Sequence, residues 1–424
     1  MIHINRKQDC CGCRSCVQRC PRKCISFVID DEGFAYPKVD MAHCVDCHLC
    51  EKVCPVINQS DSIEPVSVYA AFNKDEEVRL KSSSGGVFSA LADCVLEKKG
   101  VVFGACFNEK WEVVHDYTED KEGLEKFRGS KYVQSDIGET YKQAENFLKA
   151  GRLVLFSGTP CQIAGLRKFL RKDYVNLLAV DVICHGAPSP MVFEKYLQEE
   201  KQNVSVGNGN NSVSSRPVHY VSGNDVQNEK VESLLIQHID FRDKRTGWKK
   251  FSFTLDFAKA LINGDKNTVS FTSVFAQNPF MKGFLKNIYL RPSCYHCPSK
   301  HFTSGSDITL GDLWGADQIV PEMDDDKGLS AVIINSNKGK SYFDQLLLKK
   351  INVNLSSVVK YNSMIYSSVK EPEGRSSFFK NKNLLVHDRI DKYTRESKRN
   401  YNIINDIIYR IKVVIWNIIH PNTN

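Results

Sequence analysis

The chemistry open to this chain is concentrated in its cysteines, sixteen in 424 residues. Eight of them form two matching runs, Cys10-x-x-Cys13-x-x-Cys16-x-x-x-Cys20-Pro21 and Cys44-x-x-Cys47-x-x-Cys50-x-x-x-Cys54-Pro55. In such a run three closely spaced thiolates wrap three corners of a 4Fe-4S cube, and the fourth, just before proline, crosses to the neighbouring cube. The spacing predicts two clusters, one on Cys10, Cys13, Cys16 and Cys54 and the other on Cys44, Cys47, Cys50 and Cys20. Soft thiolates suit iron. Structural zinc usually takes two Cys-x-x-Cys pairs and has no use for the prolines or the crossed ligand. Two clusters held this close form a relay for single electrons.

Four further cysteines stand at turn positions: Cys161 in SGTPC, Cys184 in ICHG, and Cys294 and Cys297 in CYHC. The first two each follow an apolar strand, so neighbouring strands can bring them to one edge of a sheet. Together the four can hold a third cluster with scattered ligands. Two other readings stay open: buried small apolar residues for Cys161 and Cys184, or zinc between Cys294, Cys297 and a nearby histidine. Cys11, Cys24, Cys94 and Cys106 fit no ligand set. The turn Ser82-Ser83-Ser84-Gly85-Gly86 before a helical stretch can cradle a phosphate, although an ordinary helix cap reads the same way. Gly129, Ser130, Lys131 and Tyr132 add a cation, a hydroxyl and a ring, and are equally ambiguous by themselves. No catalytic acid is assigned.

The elements that would position these residues read as follows. A bacterial-ferredoxin-like unit spans residues 1–57, and Asn58 to Pro65 is a polar linker. Apolar runs at Val66 to Phe72, Val101 to Gly104, Leu153 to Phe156 and Leu177 to Cys184 predict buried strands. Helical spacing recurs at Val87 to Lys98, Ile137 to Leu148 and Ile163 to Leu170. Strands alternating with helices predict an α/β (α+β) multidomain chain with a layered body. Ile236 to Phe257 predicts a hairpin around Arg245-Thr246-Gly247, Ile308 to Gly315 a strand and turn, and Ala331 to Leu348 strand, turn and helix. Asn203 to Ser215 is polar and low in complexity, and reads as a loop. The expected units are 1–57, 66–150, 151–320 and a C-terminal extension, 321–424.

The segments SSSGGVFSAL, GSKYVQS, FSGTPCQIAGLR, VDVICHGAPSP, FRDKRTGW, CYHCPSK and DITLGDLWG, in that order, resemble the family of coenzyme F-420 hydrogenase/dehydrogenase beta subunits, itself related to 7-hydroxymethyl chlorophyll a reductase. The resemblance covers about Val66 to Gly315, with the ferredoxin-type unit as a common fusion. It implies a flavoprotein oxidoreductase whose α/β body binds FAD beside a 4Fe-4S cluster. On that basis Ser83, Ser84, Gly85, Gly86, Gly129, Ser130, Lys131 and Tyr132 are expected to contact the flavin. Cys161, Cys184, Cys294 and Cys297 are expected to ligate the third cluster. Asp307, Gly311, Asp312 and Trp314 would shape the site. A flavin exchanges electrons singly or in pairs, so it would join the clusters to an organic two-electron substrate. The alternative is an electron-transfer subunit of a larger redox complex.

The expected partners are therefore a redox protein or ferredoxin and an organic substrate. A formal charge of +7 spread over this length excludes no acidic partner but makes no nucleic-acid footprint. The N-terminal MIHINRKQDC has no apolar secretory core, and many cysteines without an export signal predict a reducing cytoplasm. Residues 403–419 place Ile403, Ile404, Ile407, Ile408, Ile411, Val414, Ile415 and Ile418 on one helical face among basic residues. Such a helix can rest on a membrane surface, dock a partner or pack on its own core.

Overall fold

The computed structural model describes residues 1–206, 231–261 and 266–394. The N-terminal unit is built on an antiparallel hairpin of β1 (Ile25–Ile29) and β2 (Ala35–Val39), with Ile25 opposite Val39. Each cysteine run ends in a short helix, Ser15–Arg19 for the first and Leu49–Lys52 for the second. The two runs repeat the same backbone: Gly12 (φ 75°) and Arg14 (φ 60°) in one match Asp46 (φ 48°) and His48 (φ 57°) in the other. Left-handed residues at these points curl the chain around a centre.

The body holds β3 (Ser67–Asn73), β4 (Val101–Phe107), β5 (Val113–Thr118), β6 (Val154–Gly158) and β7 (Leu177–Val182). A separate antiparallel sheet follows, of β8 (Val231–Asp243), β9 (Ser252–Leu261) and β10 (Lys266–Val274). Then come β11 (Ile308–Asp312), β12 (Ser330–Ile334) and β13 (Leu348–Asn352). The main sheet has the order β13-β3-β12-β11-β7-β6-β4-β5. Its centre, β4-β6-β7-β11, is parallel, and both flanks are antiparallel. The result is a mixed α/β architecture.

The parallel centre is buried on both faces, as continuous apolar runs require. Leu155 and Leu178 pack with Leu91 and Val95 of the Val87–Glu97 helix on one side. Phe156 and Leu177 pack with Tyr141 and Ile163, from the Thr140–Lys149 and Pro160–Leu170 helices, on the other. A third, aromatic core unites Phe193, Phe241, Phe253, Phe280, Tyr289 and Phe378.

The strands and helices read from periodicity between Val66 and Leu170 are present, as are the hairpin β8–β9 and the strand at Ile308. Residues 271–291 hold the end of β10 and a helix, Pro279–Leu285, capped by the Asn278 side chain accepting from Met281 N at 3.0 Å. Two expectations differ in detail. The stretch beyond residue 320 is not peripheral, since β12 lies between β3 and β11 and β13 forms the sheet's edge beyond β3. The polar stretch from Asn203 begins inside a helix, Pro190–Val206, and its remainder lies outside the described residues. The amphipathic segment 403–419 also lies outside them. No described helix is long and apolar enough to cross a membrane.

Candidate iron-sulfur and flavin site

The N-terminal unit encloses two cavities. One, partly open, is lined by Cys10, Cys11, Cys13, Cys16 and Cys54. The other, also partly open, is lined by Cys20, Cys24, Cys44, Cys47 and Cys50. Each cavity thus brings three thiols of one run to the last cysteine of the other, with one further cysteine, Cys11 or Cys24, beside them. Among the described residues no three His, Cys, Asp or Glu side chains converge on a single-ion position. The thiols surround a space instead of a point, which suits a cube better than one zinc ion. A hydrogen bond to sulfur is in place: the Ile2 amide donates to Cys50 Sγ at 3.2 Å. Such bonds stabilise thiolates and tune potentials.

The second cysteine group forms where parallel strands end together. β6 and β7 are adjacent and parallel, with Gly158 opposite Asp181, so the segments leading to Cys161 and Cys184 leave the same edge. Thr159 caps the Pro160–Leu170 helix in a capping box with Gln162, which fixes Cys161 in its first turn. Thr159 Oγ1 stands 3.2 Å from Cys161 Sγ. Cys294 lies in the short helical turn Pro292–His296, and its Sγ accepts the Ala187 amide at 3.3 Å. Arg291 N donates to Ala187 O at 2.9 Å, tying this turn to the loop after Cys184. The Cys297 amide is held by Ser368 Oγ at 3.0 Å.

Cys161, Cys184, Cys294 and Cys297 lie within electrostatic reach of one another. Burial raises the Cys184 and Cys297 thiols and pushes Cys294 up to about 12, whereas the Cys11 thiol, hydrogen-bonded to Cys161, lowers the latter. Three thiols that resist ionisation by themselves gain most from a metal that stabilises their thiolates.

Cys11, which fits no ligand set, occupies the junction. Its buried side chain is within hydrogen-bond reach of both Cys13 and Cys161. The first tetrad and the second cysteine group therefore meet through one thiol. No spacing rule points to Cys11; its only signal is an extra cysteine beside Cys10.

The two glycine-serine stretches are also brought together. Ser130 N donates to Ser83 Oγ at 2.6 Å. Gly86 (φ 79°) starts the Val87–Glu97 helix, and a Cβ built on Gly129 (φ 77°) would meet nothing within 4 Å. Other candidates spend their polar groups on the protein: Ser84 Oγ donates to Leu329 O at 2.9 Å, and Gly85 N to Ser330 Oγ at 2.9 Å. The Lys131 ammonium turns to the carbonyls of Lys126 and Arg128, at 2.9 and 2.8 Å.

Arg242 links these loops. Its guanidinium donates to Tyr132 OH at 3.1 Å, Ser83 O at 3.2 Å and Asp312 Oδ2 at 2.8 Å, while its buried Nε has no partner. Asp312 also accepts from Trp248 Nε1 at 2.9 Å, and Trp248 stacks on Trp314 with centroids 5.2 Å apart. Tyr132 stacks on Phe284 at 4.8 Å, and Phe284 meets His185 edge-on at 4.9 Å, beside Cys184. His185 is itself held by Asn287 Oδ1 at 2.7 Å, the arrangement of a structural histidine. Arg242 and Trp248 belong to the FRDKRTGW segment, which was visible in the sequence as a block without a role.

Residues 151–359 match the family model for the C terminus of the coenzyme F420 hydrogenase/dehydrogenase beta subunit, and residues 68–141 match its N-terminal counterpart. The chain belongs to this family of beta subunits. Residues 9–58 match a 4Fe-4S dicluster domain, covering both cysteine runs. Among relatives within this family, the F component of the F(420)H(2) dehydrogenase of Methanosarcina mazei is 26% identical over 187 residues, 41% of this chain and 53% of the relative. The chain thus spans about half the length of that curated relative. One polypeptide of the F420-reducing [NiFe] hydrogenase complex from Methanosarcina barkeri is 17% identical, with a TM-score of 0.39 over 78% of this chain and 91% of that one. That likeness is too loose to carry weight.

Proposed function

We propose that the chain is an iron-sulfur flavoprotein oxidoreductase, passing electrons between two ferredoxin-type clusters and an organic two-electron substrate by way of a third cluster and FAD. One observation carries this reading: the first cysteine run packs on the helix that carries Cys161, with Ser15 Oγ donating to Gly165 O at 2.8 Å, so two cysteine groups distant in sequence adjoin in space. When bound, the clusters exchange single electrons and FAD exchanges them singly or in pairs. Cys10, Cys13, Cys16 and Cys54 would hold the first cluster, Cys20, Cys44, Cys47 and Cys50 the second, and Cys161, Cys184, Cys294 and Cys297 the third. Ser83, Gly86, Gly129, Ser130 and Tyr132 are the candidates for the flavin. The unpartnered Nε of Arg242 and the open space at Gly129 support a polar ligand there. The protein's own contribution would be to fix these groups in sequence and to exclude water between them.

A second reading is an electron-transfer subunit whose substrate chemistry lies on another polypeptide. It is favoured by the description of the Methanosarcina mazei relative as one part of a dehydrogenase. Anaerobically purified chain separates the two. Bound FAD, about 12 irons per chain and viologen-driven turnover of an organic acceptor such as coenzyme F420 would support the first reading. The same iron without flavin or turnover would support the second, and zinc in place of iron would overturn both.

A further inference from the structure

Arg291 is 1% exposed, yet none of its hydrogen-bond partners is a carboxylate. Nε donates to Cys10 O at 2.7 Å, Nη1 to Gln134 Oε1 at 3.0 Å and Nη2 to Ala35 O at 2.9 Å. Nη2 also lies 3.5 Å from Cys10 Sγ. The rings of Tyr36 and Phe34 stand 4.4 and 5.5 Å from the guanidinium carbon. A guanidinium never loses its proton in proteins, and enclosing one without an anion is costly. The two carbonyls and the amide take three of its five hydrogens and supply no charge. Charge must come from the sulfur side of the site, where Cys10 is a ligand candidate of the first cluster.

A 4Fe-4S cube on four thiolates is an anion, and its charge becomes more negative by one on reduction. A fixed cation beside it therefore favours the reduced state, and does so most strongly where water is excluded. The second cavity lacks this arrangement: Arg22, which lines it, is exposed, where solvent screens it, and the Met1 ammonium beside it is already paired with Asp46 and Glu51. The backbone of Arg291 also points toward the third group, accepting the Cys294 amide at 2.8 Å.

We propose that Arg291 is the built-in counter-cation of the first cluster and holds that cluster at a higher potential than the second. Electrons entering at the second cluster then settle on the first, beside Cys11 and Cys161. The inference rests on the cluster assignment proposed above. It requires no substrate and no net proton transfer: one electron leaves the second cluster and one arrives at the first.

The test is an electron-paramagnetic-resonance-monitored redox titration of the anaerobically purified full chain, with iron content measured alongside. The first cluster is identified as the signal retained in both a Cys47→Ala chain and a Cys294→Ala chain, which lose ligands of the second and third clusters respectively. Arg291→Gln is expected to move that cluster's potential in the negative direction while the second cluster stays put and iron content is unchanged. Arg291→Lys, which keeps the charge, should recover most of the shift. Gln134→Glu leaves Arg291 in place and sets a carboxylate against it, so it should also shift the first cluster negatively. An unmoved potential in an iron-replete Arg291→Gln chain overturns the proposal, as does an Arg291→Lys shift as large as that of Gln. Should Arg291→Gln lose iron, an unmoved potential in Gln134→Glu overturns it. Wild-type chain without 4Fe-4S signals would instead defeat the underlying cluster assignment.

Discussion

Ser15 donates its hydroxyl to the carbonyl of Gly165 at 2.8 Å, across the seam between the first cysteine run and the Pro160–Leu170 helix. A Cβ built on Gly165 would lie 2.8 Å from Cys13 Cβ and 2.9 Å from Tyr141 OH. The helix that carries Cys161 can approach this closely only because residue 165 has no side chain. Gly165→Val should force the seam apart, destabilising the fold by about 1–3 kcal/mol. Electron transfer from the N-terminal pair to the body should slow while the pair's iron content is unchanged. Thermal unfolding, iron analysis and stopped-flow reduction check the three parts separately, and an unchanged transfer rate would count against the seam as the route.

Changing Cys161 or Cys294 to Ala should remove about four irons and leave the N-terminal pair intact. Iron and sulfide analysis of anaerobic protein reads this directly. Full iron in both variants would return these cysteines to a structural role.

His115 sits on β5 with one ring nitrogen 3.0 Å from Ser157 O, and the other, Nδ1, buried without a partner. Burial lowers its pKa from 6.5 to about 4, so the folded chain holds it neutral at pH 7. Below about pH 6.5 the unfolded chain takes up the proton first, and the stability contributed by the neutral ring is lost as pH falls toward 4. The full effect is about 3 kcal/mol. Comparing urea midpoints of wild type and His115→Phe between about pH 7 and pH 4.5 should show a smaller acid loss in the variant. Parallel curves would show that His115 does not govern that slope.

Glu32 and Arg375 form a buried pair, with Arg375 Nη1 donating to Glu32 Oε1 at 2.9 Å and Nη2 to Leu290 O at 3.1 Å. The pair fastens the turn between β1 and β2 to the Arg375–Lys380 helix. Removing one partner strands a buried charge, so Arg375→Met should cost about 3–5 kcal/mol. Changing both residues to apolar ones of similar size should recover much of that loss. A urea titration of the single and double variants tests the pair, and a single variant as stable as wild type would contradict it.

The parts of this site legible in the sequence are those encoded locally. Ligand spacing fixes a cube's corner geometry within a few residues, so the spacing alone suffices to propose how the eight cysteines divide into two sets. The apolar runs of β6 and β7 likewise announced buried strands, and turn residues after them marked where Cys161 and Cys184 emerge. Arg291 and Arg242 were invisible for the opposite reason. An arginine reads as surface in a linear chain, and the partners that bury these two, Cys10 for one and Ser83 and Asp312 for the other, lie far away in sequence. The insertion of β12 between β3 and β11 escaped for a similar reason, because strand order is decided by packing across the sheet.

The repeated backbone of the two cysteine runs carries unequal side chains. Gly12 and Asp46 occupy equivalent left-handed positions, but a Cβ on Gly12 would lie 2.7 Å from Gln134 Nε2 and 2.8 Å from Arg291 Nη1. Asp46, by contrast, has a side chain 68% exposed. A unit that looks duplicated has one copy locked by its neighbours and one free to vary. Substitutions on the Asp46 side can therefore reshape the exposed surface of the N-terminal unit, with its junction to the body left untouched.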